Sequence, residues 1–124
     1  FRSMLKPDGR ILLDAYSLTA FSQWKETSEY KLNQMNGFWS PNRYYGFLNT
    51  FKYKDEKLVL NKHSILEPDR IRTVYNWFQC FSPEVIEAEF IKNGLRIIET
   101  YSDVAGTPFD ILSPEFAIVA CKSL

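Results

Sequence analysis

The stretch Lys6-Pro-Asp-Gly-Arg-Ile-Leu-Leu-Asp-Ala-Tyr-Ser17 indicates the fold of this chain. It opens with Pro7-Asp8-Gly9, and these three residue types suit successive positions of a tight turn. The apolar run Ile11–Leu13 follows without alternation, which predicts a strand covered on both faces, as in a parallel or mixed α/β sheet. The strand ends in Asp14-Ala-Tyr-Ser17, in which three of the four side chains are polar. In an open α/β sheet, ligands bind at the carboxyl ends of the strands, so this tip is a candidate site.

Composition narrows the class of protein. The 124 residues suffice for one domain or part of one. Fifteen basic and fifteen acidic residues cancel, which argues against nucleic acid or an anionic membrane as the main partner. The sequence shows no signal peptide and no run of about 20 apolar residues. Cys80 and Cys121 lack metal-site spacing and need no disulfide, so we expect a cytoplasmic protein.

The middle of the chain predicts an antiparallel meander. Leu18–Ser28 carries an apolar face at helical spacing, and Ser17 or Thr19 is suited to cap that helix. Residues 29–43 mix aromatic rings with Asn, Gly and Pro, which indicates a loop. Alternating apolar residues and charged turns then predict three strands, over residues 44–54, 58–67 and 70–81.

The last third predicts a helix and two strands. Ser82 is a capping residue, Pro83 suits the first helical position, and Asn93-Gly94 ends the helix. Leu95–Tyr101 and Phe116–Cys121 are apolar strands separated by a loop. We expect a mixed sheet in which residues 10–16 and 95–101 are parallel or central members. The last strand should run antiparallel to them, and the meander should pack as an appended layer.

Three segments resemble class I S-adenosylmethionine (SAM)-dependent methyltransferases. Leu5–Asp14 is similar to the approach to the fifth strand of that family, where a Leu-Lys-Pro-Gly-Gly-Arg-Leu-Leu-Leu pattern is common. Phe81–Glu99 resembles the family's last helix and the strand after it, and Glu115–Lys122 resembles its closing strand. The resemblance implies an α/β fold: the C-terminal half of a Rossmann-like methyltransferase sheet with an inserted three-stranded antiparallel meander.

The resemblance also implies that different parts of the parent enzyme bind SAM and the substrate. The family holds SAM through a Gly-rich loop and an acidic strand end, and both would lie upstream of Phe1. We therefore interpret residues 1–124 as a single partial domain, with Rossmann-like elements over 1–28 and 82–124 and an insertion over 29–81. The insertion would form a substrate-side wall for a small molecule. SAM would serve the parent enzyme, and we expect this chain alone neither to bind it nor to be active.

Asp14 and Tyr16 are candidate substrate-binding residues, because they end the strand that would face the methyl-transfer cleft. Asp14 is also a candidate general base, although it would equally cap the following helix. Many methyltransferases act mainly by proximity and need no base. His63 is the one histidine in the sequence and a second catalytic candidate, although a single histidine in a strand is more often packed or at the surface.

Aromatic and amide side chains suggest a substrate wall, since ring faces attract cations and pack against flat apolar groups. The alternative is that these rings fill the space between the meander and the helices. No spacing typical of a hydrolase triad, a zinc site or a nucleotide-triphosphate loop occurs. The candidate wall comprises Trp39, Tyr44, Tyr75, Trp77 and Gln79, with Asn76 beside them.

A second hypothesis is a non-catalytic, dimeric ligand-binding or interaction module with an aromatic cavity. The N-terminal strand would lack one neighbour in a half-domain, so the expected partners are the missing N-terminal half or a second copy of the chain. Nucleic acid and membrane are not expected as partners. The identity of the methyl acceptor does not follow from the sequence.

Overall fold

The computed structural model describes residues 1–123, which divide into two compact units. The first unit contains Phe1–Gln23 and Gln79–Leu124, and the second contains Trp24–Phe78. The divisions fall a few residues before those that the sequence suggests. That the whole chain is one partial domain stays a prediction.

Seven strands and three α-helices follow a short 3₁₀ turn at Arg2–Met4 in this described part. In chain order they are β1 (Arg10–Ser17), α1 (Leu18–Gln23), β2 (Thr27–Leu32), α2 (Gln34–Gly37), β3 (Tyr45–Tyr53), β4 (Leu58–Leu66), β5 (Ile71–Phe81), α3 (Pro83–Lys92), β6 (Leu95–Tyr101) and β7 (Glu115–Lys122).

The sheet of the first unit is mixed, as predicted. β1 pairs antiparallel with β7 along its length, from Arg10 opposite Cys121 to Tyr16 opposite Glu115. β7 pairs antiparallel with β6 on its other side, so β6 lies at an edge and runs in the direction of β1. The last residues of β5 pair parallel with the end of β1. That the meander packs as an appended layer stays a prediction.

β1 is covered on one face only, which corrects the prediction from its apolar run. Leu13 packs with Ile11 against the core, whereas Leu12 points the other way and is 57% exposed. The strand covered on both faces is β7, in which Ala117 and Ile118 are both at most 1% exposed. Because β7 has a paired strand on each side and β1 is fully paired on one side only, the buried central position belongs to β7.

Helix α3 covers the buried face of the first unit. The Ser82 side chain accepts a hydrogen bond from the Val85 backbone N–H at 3.2 Å, Pro83 begins the helix, and Gly94 follows it with φ +68°. This matches the predicted capping. The helix buries two apolar residues, each worth about 1.5–3 kcal/mol. The core cluster comprises Ile86, Phe90, Leu95, Phe116, Ile118 and Ala120.

The second unit contains the three predicted strands and one more, in the order β2-β3-β4-β5. The helix predicted over Leu18–Ser28 ends at Gln23, because Trp24 belongs to the second unit. There its ring lies 5.2 Å from that of Phe78, and its carbonyl accepts a hydrogen bond from Lys52 at 2.7 Å. The predicted loop over residues 29–43 contains most of β2 and all of α2. Every residue of β2 is exposed, so backbone pairing with β3 places it and hydrophobic periodicity gives no signal.

The interior of the second unit combines aliphatic and polar side chains. Val59 and Ile65 are fully buried on β4. Glu67, which follows β4, has a carboxylate that accepts hydrogen bonds from Arg70 and, at 2.6 Å, from Ser40. These bonds lower the pKa of Glu67 to about 2, and the bond from Arg70 has the largest effect.

Within residues 1–123, no helix combines the length and the apolar character needed to cross a bilayer.

Candidate functional site

A cavity of about 310 Å³ lies in the first unit, where β1 ends. Three segments line it: the β1–α1 junction, the start of α3 with the residue before its cap, and the end of the loop between β6 and β7 with the first residues of β7. Its walls are mainly apolar and include Leu18, Phe81, Phe109, Ile111, Leu112 and Phe116. The cavity therefore offers a small, mostly hydrophobic site.

Ser17 joins two of these walls. Its hydroxyl donates a hydrogen bond to the Ser113 carbonyl at 2.6 Å and accepts bonds from the N–H groups of Thr19 at 3.1 Å and Ala20 at 3.3 Å. Its backbone N–H donates to the Pro114 carbonyl at 3.0 Å. Ser17 thus caps α1, as expected, and also fixes the loop before β7 against the end of β1. Sequence reasoning missed this second role.

The loop between β6 and β7 is ordered by its own hydrogen bonds. The Ser102 hydroxyl donates to the Pro108 carbonyl at 3.0 Å and accepts from the Asp110 N–H at 2.8 Å. The Asp103 carboxylate accepts from the Thr107 hydroxyl at 2.6 Å and from the Thr107 N–H at 3.1 Å, and these bonds lower the pKa of Asp103. The wall is therefore preorganised.

Three carboxylates surround the cavity: Glu84, Asp110 and Glu115. No Lys, Arg or His belongs to its lining in the described part of the chain. Hydrogen bonds from its own backbone N–H and then from the Ser82 side chain lower the pKa of Glu84, which favours its charged form. The site thus combines apolar walls with a negatively charged rim.

Asp14 and Tyr16 lie outside this cavity. They share the exposed face of β1 with Leu12, opposite the face that packs on the core. The Cα partners of Asp14 and Tyr16 on β7 are Ala117 and Glu115. The proposed roles of both residues stay predictions.

His63 lies in the interior of the second unit. It is 6% exposed, and its ring centroid is 4.8 Å from that of Trp39. Burial lowers the pKa of His63, so the ring is neutral at pH 7. Its Nδ1 atom has no hydrogen-bond partner within residues 1–123. This placement matches a packed histidine more closely than an accessible catalyst, and its catalytic role remains a prediction.

The residues of the predicted ring wall differ in exposure, and their role as a substrate wall stays a prediction. Tyr44 is 1% exposed, and its hydroxyl donates to the Gln34 carbonyl, so Tyr44 fills the interior. Tyr75 and Trp77 are about half exposed on β5, where the Trp77 ring lies 5.5 Å from that of Tyr53. Asn76 alternates with them on β5. Gln79 belongs to the first unit, and its side chain donates to the Cys80 carbonyl at 3.1 Å.

The glycines of the described residues lie in separate parts of the chain. A Cβ at Gly37 or Gly106 would meet nothing within 4 Å, and both have positive φ in open turns. A Cβ at the others would meet the chain's own atoms: Lys6 at Gly9, Gln34 at Gly46 and Arg2 at Gly94. That no residue of this chain holds the nucleoside or methionyl groups of SAM stays a prediction.

Comparisons with known proteins identify the fold. A scan against models of protein families finds no match, and neither does a search of curated proteins. Among solved structures, this chain is similar to the CcbJ methyltransferase from Streptomyces caelestis. The alignment covers 99% of this chain and 47% of the CcbJ chain, with 14% sequence identity and a TM-score of 0.69. A SAM-dependent methyltransferase from Clostridium acetobutylicum ATCC 824 matches 99% of this chain with 48% of its own, at 12% identity and a TM-score of 0.72.

These likenesses bear on the fold. The chain spans about half the length of both structures, as the partial-sheet prediction requires. The mixed sheet of β1, β7 and β6 and the antiparallel meander are the elements that the resemblance implied. The chain therefore has the fold of about half of a SAM-dependent methyltransferase.

Proposed function

We propose that this chain is the substrate-side part of a cytoplasmic SAM-dependent methyltransferase that acts on a small molecule, and that the cavity at the end of β1 holds the methyl acceptor. The observation that carries the proposal is an apolar cavity at the carboxyl edge of a methyltransferase-type sheet.

The topology supports this position for an acceptor site. β1, β6 and the last residues of β5 run in one direction, so their carboxyl ends share an edge. α3 begins directly after β5, and the loop that follows β6 also starts at that edge. All three cavity-lining segments therefore lie where open α/β sheets bind ligands. A volume of about 310 Å³ is near the lower end for ligand pockets, which favours a small acceptor.

The proposed role of the chain's own residues is binding and orientation. The apolar walls would exclude water around the acceptor, and the Ser17 hydrogen bonds would keep those walls in place. Holding the acceptor in a reactive geometry supplies much of the catalysis in a displacement of this kind. Residues outside this chain would hold SAM. Asp14 lies outside the cavity, so its candidate role as a general base is a separate prediction.

Methyl transfer by the full-length protein tests this proposal. [Methyl-³H]SAM is incubated with a library of small amines, alcohols and thiols, and transferred label is measured. Leu112→Trp fills the cavity and should abolish transfer while SAM binding remains. Val104→Trp is the control, because Val104 is exposed in the same loop and does not line the cavity. Equal transfer by the wild type and Leu112→Trp would refute the acceptor pocket.

One observation favours the second candidate, a non-catalytic dimeric module. Within residues 1–123, β1 pairs with β5 only at Tyr16 and Ser17, so the rest of that edge is open, and Leu12 on the adjoining face is exposed. Open edges and apolar faces invite association. In a methyltransferase the missing half would cover this edge, whereas in a module a second copy would do so.

Sedimentation velocity of this chain at micromolar concentration compares the two coverings. The module is favoured if the chain is a dimer, if Leu12→Lys makes it a monomer, and if the full-length protein transfers no methyl group. Methyl transfer that Leu112→Trp abolishes would exclude it.

A further inference from the structure

We propose that the cavity at the end of β1 selects a ligand with a protonated amine attached to a compact apolar group. This inference rests on the proposed function and names the class of methyl acceptor.

The apolar part of the ligand follows from the cavity walls. Leu18, Phe109, Ile111 and Leu112 all line the cavity, yet each keeps between 39% and 71% of its surface exposed. Neighbouring apolar side chains exposed in this way mark a surface that buries a partner group. The limited volume restricts that group to about the size of a single ring or a short branched chain.

The positive charge of the ligand follows from the rim. Glu84, Asp110 and Glu115 line the cavity, and no basic side chain of the described lining balances them. The sequence as a whole has equal numbers of acidic and basic residues, so this negative field is a local feature. A cation entering the cavity would be attracted by all three carboxylates.

Existing hydrogen bonds hold two of these carboxylates in place and leave room for a further donor. Asp110 Oδ1 accepts from the Leu112 N–H at 2.9 Å, and the backbone of Asp110 is tied to Ser102. Glu84 is bound by its own N–H and by Ser82. An ionised carboxylate offers about four acceptor positions, so each can still accept an ammonium proton.

An anionic ligand fits this site poorly, although the start of a helix lies beside it. The first N–H groups of α3 are already used or missing. Pro83 has no N–H group, and the N–H of Glu84 binds the Glu84 carboxylate. The Val85 N–H donates to the Ser82 hydroxyl, and the Ile86 N–H donates to the Ser82 carbonyl. The helix end therefore has few groups left for a phosphate or carboxylate, and the rim would repel one.

Three ligands that share a phenylethyl group separate charge from shape: 2-phenylethylamine, 2-phenylethanol and 3-phenylpropanoate. They are titrated into the ¹⁵N-labelled full-length protein, and the amide shifts of Leu18, Ile111 and Leu112 are followed. The amine should bind about three- to tenfold more tightly than the alcohol, and the carboxylate most weakly. Added salt should reduce the difference.

Matched variants test the rim. Glu84→Gln, Asp110→Asn and Glu115→Gln should each weaken amine binding about two- to fivefold and leave alcohol binding unchanged. The amides keep the shape and an acceptor oxygen, so the loop stays capped. Glu87→Gln is the control, since Glu87 is exposed on the same helix outside this cavity.

The titration distinguishes a wrong ligand charge from a wrong pocket. If the alcohol or carboxylate shifts the same amides at the amine's affinity, the inference about charge is wrong and the pocket stands. If none of the three ligands shifts those amides, the pocket itself, and with it the proposed function, is refuted.

Discussion

Replacing Ser17 by alanine should destabilise the first unit by about 2 kcal/mol. The Ser17 hydroxyl caps α1 through the N–H groups of Thr19 and Ala20, and loss of such a cap costs about 1 kcal/mol. The same hydroxyl donates to the Ser113 carbonyl at 2.6 Å, a bond worth about 1 kcal/mol net. Ser17 is 7% exposed, so water does not readily replace it. For a chain of this length, the loss corresponds to a fall in Tm of about 8 °C.

The assay combines urea unfolding with amide hydrogen exchange. Exchange at Thr19 and Ala20 should accelerate in Ser17→Ala, because both amides lose their acceptor. Ser22→Ala is the control, since the Ser22 hydroxyl donates to the Thr19 carbonyl from an exposed position on the same helix. If both variants unfold within about 0.5 kcal/mol of the wild type, Ser17 does not hold the cavity wall and the reasoning fails.

Three further predictions concern other parts of the chain. Burial lowers the pKa of His63 below 6.5, so on acidification the unfolded chain takes up this proton before the folded chain does, and the free energy of unfolding should fall as the pH drops through 6.5. His63→Gln should make the free energy of unfolding, measured by urea titration, depend less on pH. Equal pH dependence in both proteins would contradict this prediction. Gly46→Ala places a Cβ 2.6 Å from Gln34 Oε1 and 2.7 Å from Gln34 Cβ, so calorimetry should show a loss of about 1–3 kcal/mol, and an unchanged Tm would show that Gln34 moves aside. In the full-length enzyme, Asp14→Asn or Tyr16→Phe should lower turnover at least about tenfold and change the free energy of unfolding by less than about 1 kcal/mol, because both residues end β1 at the carboxyl edge of the sheet. Normal turnover in both variants would show that neither residue acts in the reaction.

Features set by nearby residues could be predicted from the sequence. The cap at Ser82, Pro83 at the helix start and the Gly94 turn all depend on neighbours within a few positions, and the structure shows them as expected. The alternating pattern likewise predicted a strand over residues 58–67, and β4 spans Leu58–Leu66. Short-range rules suffice for such features.

Features set by distant pairing could not be predicted in this way. Leu12 is exposed because nothing in the described chain covers that face of β1, and an apolar run does not reveal how many faces are covered. β2 has no buried residue and depends on β3 for its position. The cavity depends on Ser17 meeting Ser113, 96 positions away. Its one sequence signal was the apolar group Phe109, Ile111 and Leu112 inside a loop.

Calorimetric titration of SAM tests the central claim most directly. The full-length protein that contains this chain should bind SAM in the micromolar range, whereas residues 1–124 alone should bind it more weakly than millimolar. Tight binding by the 124-residue chain would show that we have misplaced the cofactor site. No binding by the full-length protein would contradict the assignment of this chain to a SAM-dependent methyltransferase.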